Sequence, residues 1–248
     1  MKLSLQLYSV RNEIKQYGLK EVLAAAKKAG FDAVEPAGYY DLGAAGLKKE
    51  LDAAGLSVTS AHISYKAVTE ETQQVIDDMK ALGATDVVIP WLSADMLKDQ
   101  FDELAEKLCD AQKVLKKSGL RLGYHNHAQE FEGGADYVKK FLENVDGLLS
   151  EPDIFWLAVA GKLPIDYVKS IESKLMTIHL KELGKGGKAE PNPVLGQGVS
   201  QTAQCIAFAA EKKLPYIVLE FEGASLPYEQ YLCKCAEFIR AELKRCEK

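Results

Sequence analysis

At 248 residues, 47% apolar, 27% charged and with a formal net charge of −5, the chain has the make-up of a globular protein able to bury a substantial core. That composition excludes disordered, collagen-like and disulfide-scaffold classes, and a pI near 5.5 without a Lys/Arg cluster argues against a nucleic-acid or anionic-membrane surface. The cysteines, Cys109, Cys205, Cys233, Cys235 and Cys246, are odd in number and form no CxxC pair, which fits packing residues in a reducing compartment.

The chain opens on a short apolar stretch broken by Gln6 and closed by Arg11 and Glu13, which reads as a strand rather than a leader. No apolar run approaches the ~20 residues that span a bilayer, so a cytoplasmic location with no membrane partner is expected. Strands are predicted at 3–10, 33–36, 57–62, 86–90, 121–127, 154–157, 177–181 and 216–220, separated by segments of helical periodicity such as 19–29, 47–54, 72–82 and 96–117. Ala29-Gly30, Ala54-Gly55, Leu82-Gly83 and Ser118-Gly119 supply the glycine that a left-handed helix cap favours, each leading into the next strand. One βα unit used repeatedly, with no Pro/Ser-rich linker, predicts an α/β fold of one domain over 1–248, a (β/α)8 TIM barrel. A doubly wound open sheet is the alternative, but Tyr8-Ser9-Val10-Arg11-Asn12 carries no glycine fingerprint for a dinucleotide.

In such a barrel the C-terminal strand ends carry the active site. His62 closes the third predicted strand, His125 and His127 the fifth, and His179 lies near the end of the seventh. Glu35 closes the second, Glu130 follows the fifth, Asp153 lies beside the sixth, and Glu220 and Glu222 close the eighth. Carboxylates in apolar surroundings need partners, and a divalent cation is the simplest; an ion pair of Glu220 with Lys181 or Arg121 is the alternative. Carboxylate and imidazole donors suit Mn²⁺, Mg²⁺, Co²⁺ or Zn²⁺ rather than a thiolate-preferring metal. Trp91 and Trp156 could stack on a sugar face or pack in the core, and Tyr39 and Tyr40 could line the mouth or cover it. The Gly- and Pro-rich segment 184–198, with Lys185 and Lys188, reads as a long mobile loop.

The runs Gln6-Leu7-Tyr8-Ser9-Val10-Arg11, Val34-Glu35-Pro36-Ala37-Gly38-Tyr39-Tyr40, Ser60-Ala61-His62, Gly123-Tyr124-His125-Asn126-His127 with Glu130-Phe131, Asp153-Ile154-Phe155-Trp156 and His179-Leu180-Lys181 occur in that order along the whole chain. Together they resemble the sugar phosphate isomerase/epimerase family of xylose isomerase-like TIM barrels. The resemblance implies metal ligands at Glu130, Asp153, His179 and Glu220, with Glu130 and Glu220 as the catalytic pair that exchanges a substrate proton. It also implies contacts from His62 and His127 to substrate oxygens and support from Lys181; Glu35 and Trp91 are further candidates for substrate binding. The chain departs from the pattern at Ala128-Gln129 and Glu182, where the family often has Asp-Phe and Asp, and Pro152 precedes Asp153.

The expected activity is a metal-dependent isomerase or epimerase of a small sugar or sugar-like substrate, working by proton transfer through a metal-held enediolate. A dehydratase of a cyclic polyol shares the first proton abstraction and is the alternative. An endonuclease IV-like nuclease fits poorly with four histidines and an acidic pI, and a non-catalytic barrel fits poorly with a full set of ligand positions. The implied partner is a small carbohydrate, with room for a homo-oligomer.

Overall fold

In the computed structural model, which describes residues 1–246, short buried strands alternate with longer helices. The strands are β1 (Lys2–Gln6), β2 (Ala33–Glu35), β3 (Ser57–Val58), β4 (Ser60–His62), β5 (Asp86–Ile89), β6 (Arg121–His125), β7 (Leu149–Glu151), β8 (His179–Leu180) and β9 (Tyr216–Leu219). All pairings are parallel, in the orders β3-β2-β1-β9-β8 and β4-β5-β6-β7.

Two joints close these sheets into one barrel. β3 and β4 are one predicted strand interrupted at Thr59, whose backbone N–H donates to Val34 O at 3.1 Å, while Ile63 N donates to Val88 O at 2.9 Å. One segment thus serves β2 on one side and β5 on the other. On the opposite side, Met176 N donates to Ser150 O at 2.8 Å and His179 N to Pro152 O at 3.0 Å, tying β7 to β8. With β3 and β4 taken as one, eight strands form the expected (β/α)8 ring. The closure leaves no unpaired edge.

Helices wrap the ring because their apolar stripes match the strands' outer faces. The helix Leu19–Ala29 buries Val22, Leu23 and Ala26 and ends on Gly30 at φ 97°, a left-handed backbone that a side chain would strain. Four local readings need correction. The first strand stops at Gln6, whose side-chain carbonyl accepts from Tyr8 N at 2.9 Å and starts a 3-10 turn over Leu7–Val10. The predicted long helix splits into Ala94–Asp99 and Phe101–Lys117 at Gln100, which has a non-helical backbone. The apolar run read as a strand at 154–157 is a helix, Ile154–Val159, and the strand lies earlier, at Leu149–Glu151. Finally, the loop predicted after β8 is anchored at its far end: Glu182 accepts from Gly196 N at 2.6 Å, Ser200 N at 2.9 Å and Thr202 Oγ1 at 2.6 Å.

The barrel interior is polar toward its C-terminal end. Ser4 Oγ meets Thr59 Oγ1 at 2.8 Å, Gln6 Nε2 donates to Glu35 Oε2 at 2.7 Å, and Ser60 Oγ donates to the other oxygen of Glu35. Buried polar atoms must be paired, so these contacts fix Glu35 within the barrel. No helix of the described residues is long and apolar enough to cross a membrane.

Candidate functional site

Above that polar layer the strand ends bring three histidines and four carboxylates together. His62 ends β4, His125 ends β6, and His179 begins β8. The His62 and His179 rings stack with centroids 5.4 Å apart, and His125 meets His179 edge-on at 4.6 Å. Beneath them lies Glu151, the last residue of β7. Its Oε2 is 2.9 Å from His62 Nε2, 3.0 Å from His179 Nε2 and 3.5 Å from His125 Nδ1. Glu35 Oε2 also reaches His179 Nε2 at 2.8 Å and His62 Nε2 at 3.2 Å. Two buried carboxylates thus accept from His62 Nε2 and His179 Nε2 and hold those rings in place, while His125 Nδ1 has no hydrogen-bond partner.

The upper nitrogens face a second set of oxygens. His179 Nδ1 is 2.8 Å from Glu220 Oε2, and His125 Nε2 is 4.0 Å from Asp153 Oδ2. Asp153 is placed by the helix it starts, with Oδ1 accepting from Phe155 N at 2.7 Å and Trp156 N at 3.0 Å, an N-cap arrangement. Its other oxygen, Oδ2, is buried with no partner. Lys181, fully buried, donates to Glu222 at 2.7 Å, lies 3.4 Å from Glu220 Oε1, and sits over the Phe155 and Trp156 rings at 4.6 and 4.8 Å.

The charges follow from this packing. Burial opposes ionisation of Glu220, but Lys181 and His179 hold its carboxyl well below the usual range. His179 is likewise pushed well above an ordinary histidine because Glu151 and Glu35 outweigh the cost of burial. Burial drives Asp153 the other way, up to about 7 despite Lys181. His125 and His127 are pushed down by burial to about 3 and about 4, so both are neutral imidazoles with a ring nitrogen available to accept.

Two sets of donor atoms lie within 4.8 Å of one another: His62, His125, Glu151 and His179 below, and His125, Asp153, His179 and Glu220 above. His125 and His179 belong to both, through opposite ring nitrogens. Each set contains a carboxylate already hydrogen-bonded by an imidazole, Glu151 to His62 below and Glu220 to His179 above. In the upper set Asp153 Oδ2 is buried without a partner and lies 4.0 Å from His125 Nε2, so a small inward shift would bring both within bonding distance, about 2.0–2.2 Å, of one ion. The upper set therefore fits a divalent cation, and His179 Nε2 then donates to Glu151 and Glu35, the arrangement that orients metal-bound histidines elsewhere.

Of the residues singled out from sequence, Asp153, His179, Glu220, His62 and Lys181 come together here, with His127 stacked beside Trp156 at 5.0 Å. Glu130 does not join them. Its Oε1 accepts from Tyr124 OH at 2.7 Å and its Oε2 from His127 N at 2.8 Å, so both oxygens are turned into the loop after β6. His125 stands in the donor set where Glu130 was expected. Glu35 lies beneath the histidines, away from the opening. Glu151 escapes the sequence pattern because the strand predicted at 154–157 begins five residues after the observed one, Leu149–Glu151.

A cavity of about 850 Å³ opens at this rim. His62, His125, His127, Trp156 and Glu220 form its polar end, and Tyr8, Tyr39 and Trp91 stand in the wall beyond. Trp91 is 53% exposed, which excludes a core role.

Known proteins share this frame. Inosose dehydratase of Bacillus cereus (strain AH820) is 22% identical over 179 residues, covering 62% of this chain and 60% of its own, so the chain spans less than two thirds of that curated relative. A sugar phosphate isomerase/epimerase from Parabacteroides distasonis ATCC 8503 superposes with a TM-score of 0.81 at 22% identity, over 100% of this chain and 96% of the other. A xylose isomerase-like TIM barrel protein from Mycobacterium smegmatis in complex with magnesium gives a TM-score of 0.72 at 17% identity, over 92% and 89% of the two chains. The sequence profile of the xylose isomerase-like TIM barrel matches residues 23–242. The fold, the order of the strand-end motifs and that match agree, and the chain belongs to the xylose isomerase-like TIM barrel family.

Proposed function

We propose that this chain is a divalent-metal-dependent isomerase or epimerase that moves a proton at a carbon beside the carbonyl of a small sugar-like substrate. The observation that carries the reading is the convergence of His125, Asp153, His179 and Glu220, of which His125 and Glu220 line the cavity, with Asp153 Oδ2 buried and unpartnered. A cation held there would polarise neighbouring substrate oxygens and acidify the adjoining C–H.

Glu220 is the proton acceptor in this reading. It lies at the cavity wall, and Lys181 and His179 keep it ionised, so it is always ready to take a proton and holds one weakly. His62 serves the other side, from a strand three places round the ring. Burial opposes its charge, but Glu35 and Glu151 raise its pKa, which favours the protonated form that can donate. His127, neutral and with Nδ1 unpartnered, is placed to hydrogen-bond a substrate hydroxyl. Since Glu130 is tied to Tyr124 and the His127 backbone, the second proton carrier is His62 rather than a second glutamate.

Likeness to an inosose dehydratase favours one second reading. Dehydration starts with the same abstraction and then needs an acid for the departing hydroxyl, which His62 would supply. Deuterium wash-in with Mn²⁺-supplied protein and a panel of ketoses and inososes, followed by product identification, separates the two. Glu220→Gln should slow exchange by ~10²–10⁴-fold. Near-normal exchange in that variant at saturating metal would remove Glu220 from the mechanism, and failure of the protein to retain a divalent ion would remove the whole reading.

A further inference from the structure

We propose that the cavity takes an uncharged two-ring carbohydrate, with one ring at the metal-binding residues and a neutral second sugar ring on a shelf built by the other half of the barrel. The proposal rests on the preceding reading only for which end holds the reacting ring.

Size is the first argument. Pockets of roughly 300–1,000 Å³ enclose drug-sized ligands, and at about 850 Å³ this one lies well up that range. A single sugar ring would leave much of it to water. Position is the second. The upper donors come from β6, the second residue after β7, β8 and the residue after β9, whereas most of the cavity wall comes from the segments following β1, β2, β4 and β5. The space therefore runs away from the donor atoms, across the mouth of the barrel.

The chemistry of that wall selects a sugar. Tyr8 and Trp91 are 49% and 53% exposed in the cavity wall; Arg11 covers one face of Tyr8, and the remaining aromatic surface can pack against the C–H face of a sugar ring. Among them stand Glu71, Gln74 and Asp78, acceptors for hydroxyl protons. Carboxylates interleaved with rings suit a hydroxyl-rich unit better than an apolar aryl group, whose burial would leave them unpaired.

Charge argues against a phosphate. Glu71, Asp78 and Glu222 face the cavity, and the one arginine in its wall is engaged: Arg11 lies 4.0 Å over the Tyr8 ring and donates to Tyr8 O at 2.7 Å. Lys181 is held by Glu220 and Glu222. Lys185 and Lys188 are exposed on the loop after β8, outside the lining.

Both tryptophans of the chain, Trp91 and Trp156, lie in the wall, so Trp156→Phe leaves Trp91 as a single fluorescent reporter of the shelf. Mn²⁺-supplied protein is titrated with maltose, cellobiose and lactose, with methyl glucoside and methyl galactoside, and with glucose 6-phosphate, read by Trp91 fluorescence and saturation-transfer NMR. At least one disaccharide should bind about tenfold more tightly than either methyl glycoside, and the phosphate no more tightly than methyl glucoside. Tyr8→Ala should remove the disaccharide advantage and leave monosaccharide affinity unchanged. Equal affinity for one ring and two, a clear preference for the phosphate, or a disaccharide preference that survives both Tyr8→Ala and Trp91→Ala overturns the proposal. A retained disaccharide preference without proton exchange would instead sink the preceding reading and leave this one standing.

Discussion

Replacing Asp153 with Asn separates the electrostatic cost of the donor cluster from its packing. Asn retains the oxygen that accepts from Phe155 N and Trp156 N and ranks with Asp as a helix cap, so the helix start survives while the charge is lost. In the metal-free protein, burial raises Asp153 from 3.8 to about 7. A carboxyl raised on folding stabilises the fold fully below its unfolded value; that contribution is lost as pH climbs through the folded value. Between those limits the native state of the wild type is penalised progressively. At about 1.36 kcal/mol per tenfold change the ceiling is roughly 4 kcal/mol, and the side chain is wholly buried, so solvent screening does not reduce it. Metal-free Asp153→Asn should therefore be the more stable protein, by about 2 kcal/mol more near pH 7.5 than near pH 5. Mn²⁺ should narrow the gap near pH 7.5 and reverse it near pH 5, because ligand at a hundred times its Kd stabilises only the protein that binds it, by about 2.7 kcal/mol. Urea unfolding of both proteins at the two pH values, with chelator and with Mn²⁺, measures all four differences. A pH-independent gap, or equal stabilisation of both proteins by Mn²⁺, would refute the placement of Asp153 among the donors.

Glu151→Gln should weaken metal binding about 10–100-fold, since the amide cannot accept from all the imidazole nitrogens that point at Glu151; an unchanged Kd by competition with a fluorescent chelator would exclude that orienting role. Glu130→Gln should leave metal content intact but cost about 1–3 kcal/mol in urea unfolding, because an amide N–H would face the Tyr124 hydroxyl or the His127 N–H. Loss of metal at undiminished stability would return Glu130 to the donor set.

The barrel was readable because each unit repeats the same grammar, and Gly30, Gly55 and Gly83 do cap their helices in the left-handed region. The same grammar holds at Gly147, with φ 78°, where a strand directly follows. That strand was overlooked because it is only three residues long, ends in Glu151 and runs into Pro152, features that locally resemble a turn. The more apolar Ile154-Phe155-Trp156-Leu157 attracted the strand assignment, although an Asp before an apolar run is equally a helix-start signal. Asp153, His179 and Glu220 were legible as strand-end residues. Glu130 was misplaced because its spacing after β6 says nothing of its partners, and the Tyr124 hydroxyl and His127 N–H that hold it are set by the tertiary path of the loop.

The mouth of this barrel is divided between its two halves, and the division bears on how such a protein can change. The candidate ion-binding side chains sit on or just after the later strands, above buried carboxylates, whereas most of the outer wall follows the earlier strands. Apart from His62, which belongs to both, substitutions in the outer wall touch none of the donor atoms, and effects at sites without shared partners tend to add. A library randomised at Tyr8, Tyr39, Gln74 and Trp91 should then explore new substrates on a constant reactive centre. Selection can act on what is recognised without first having to rebuild what reacts.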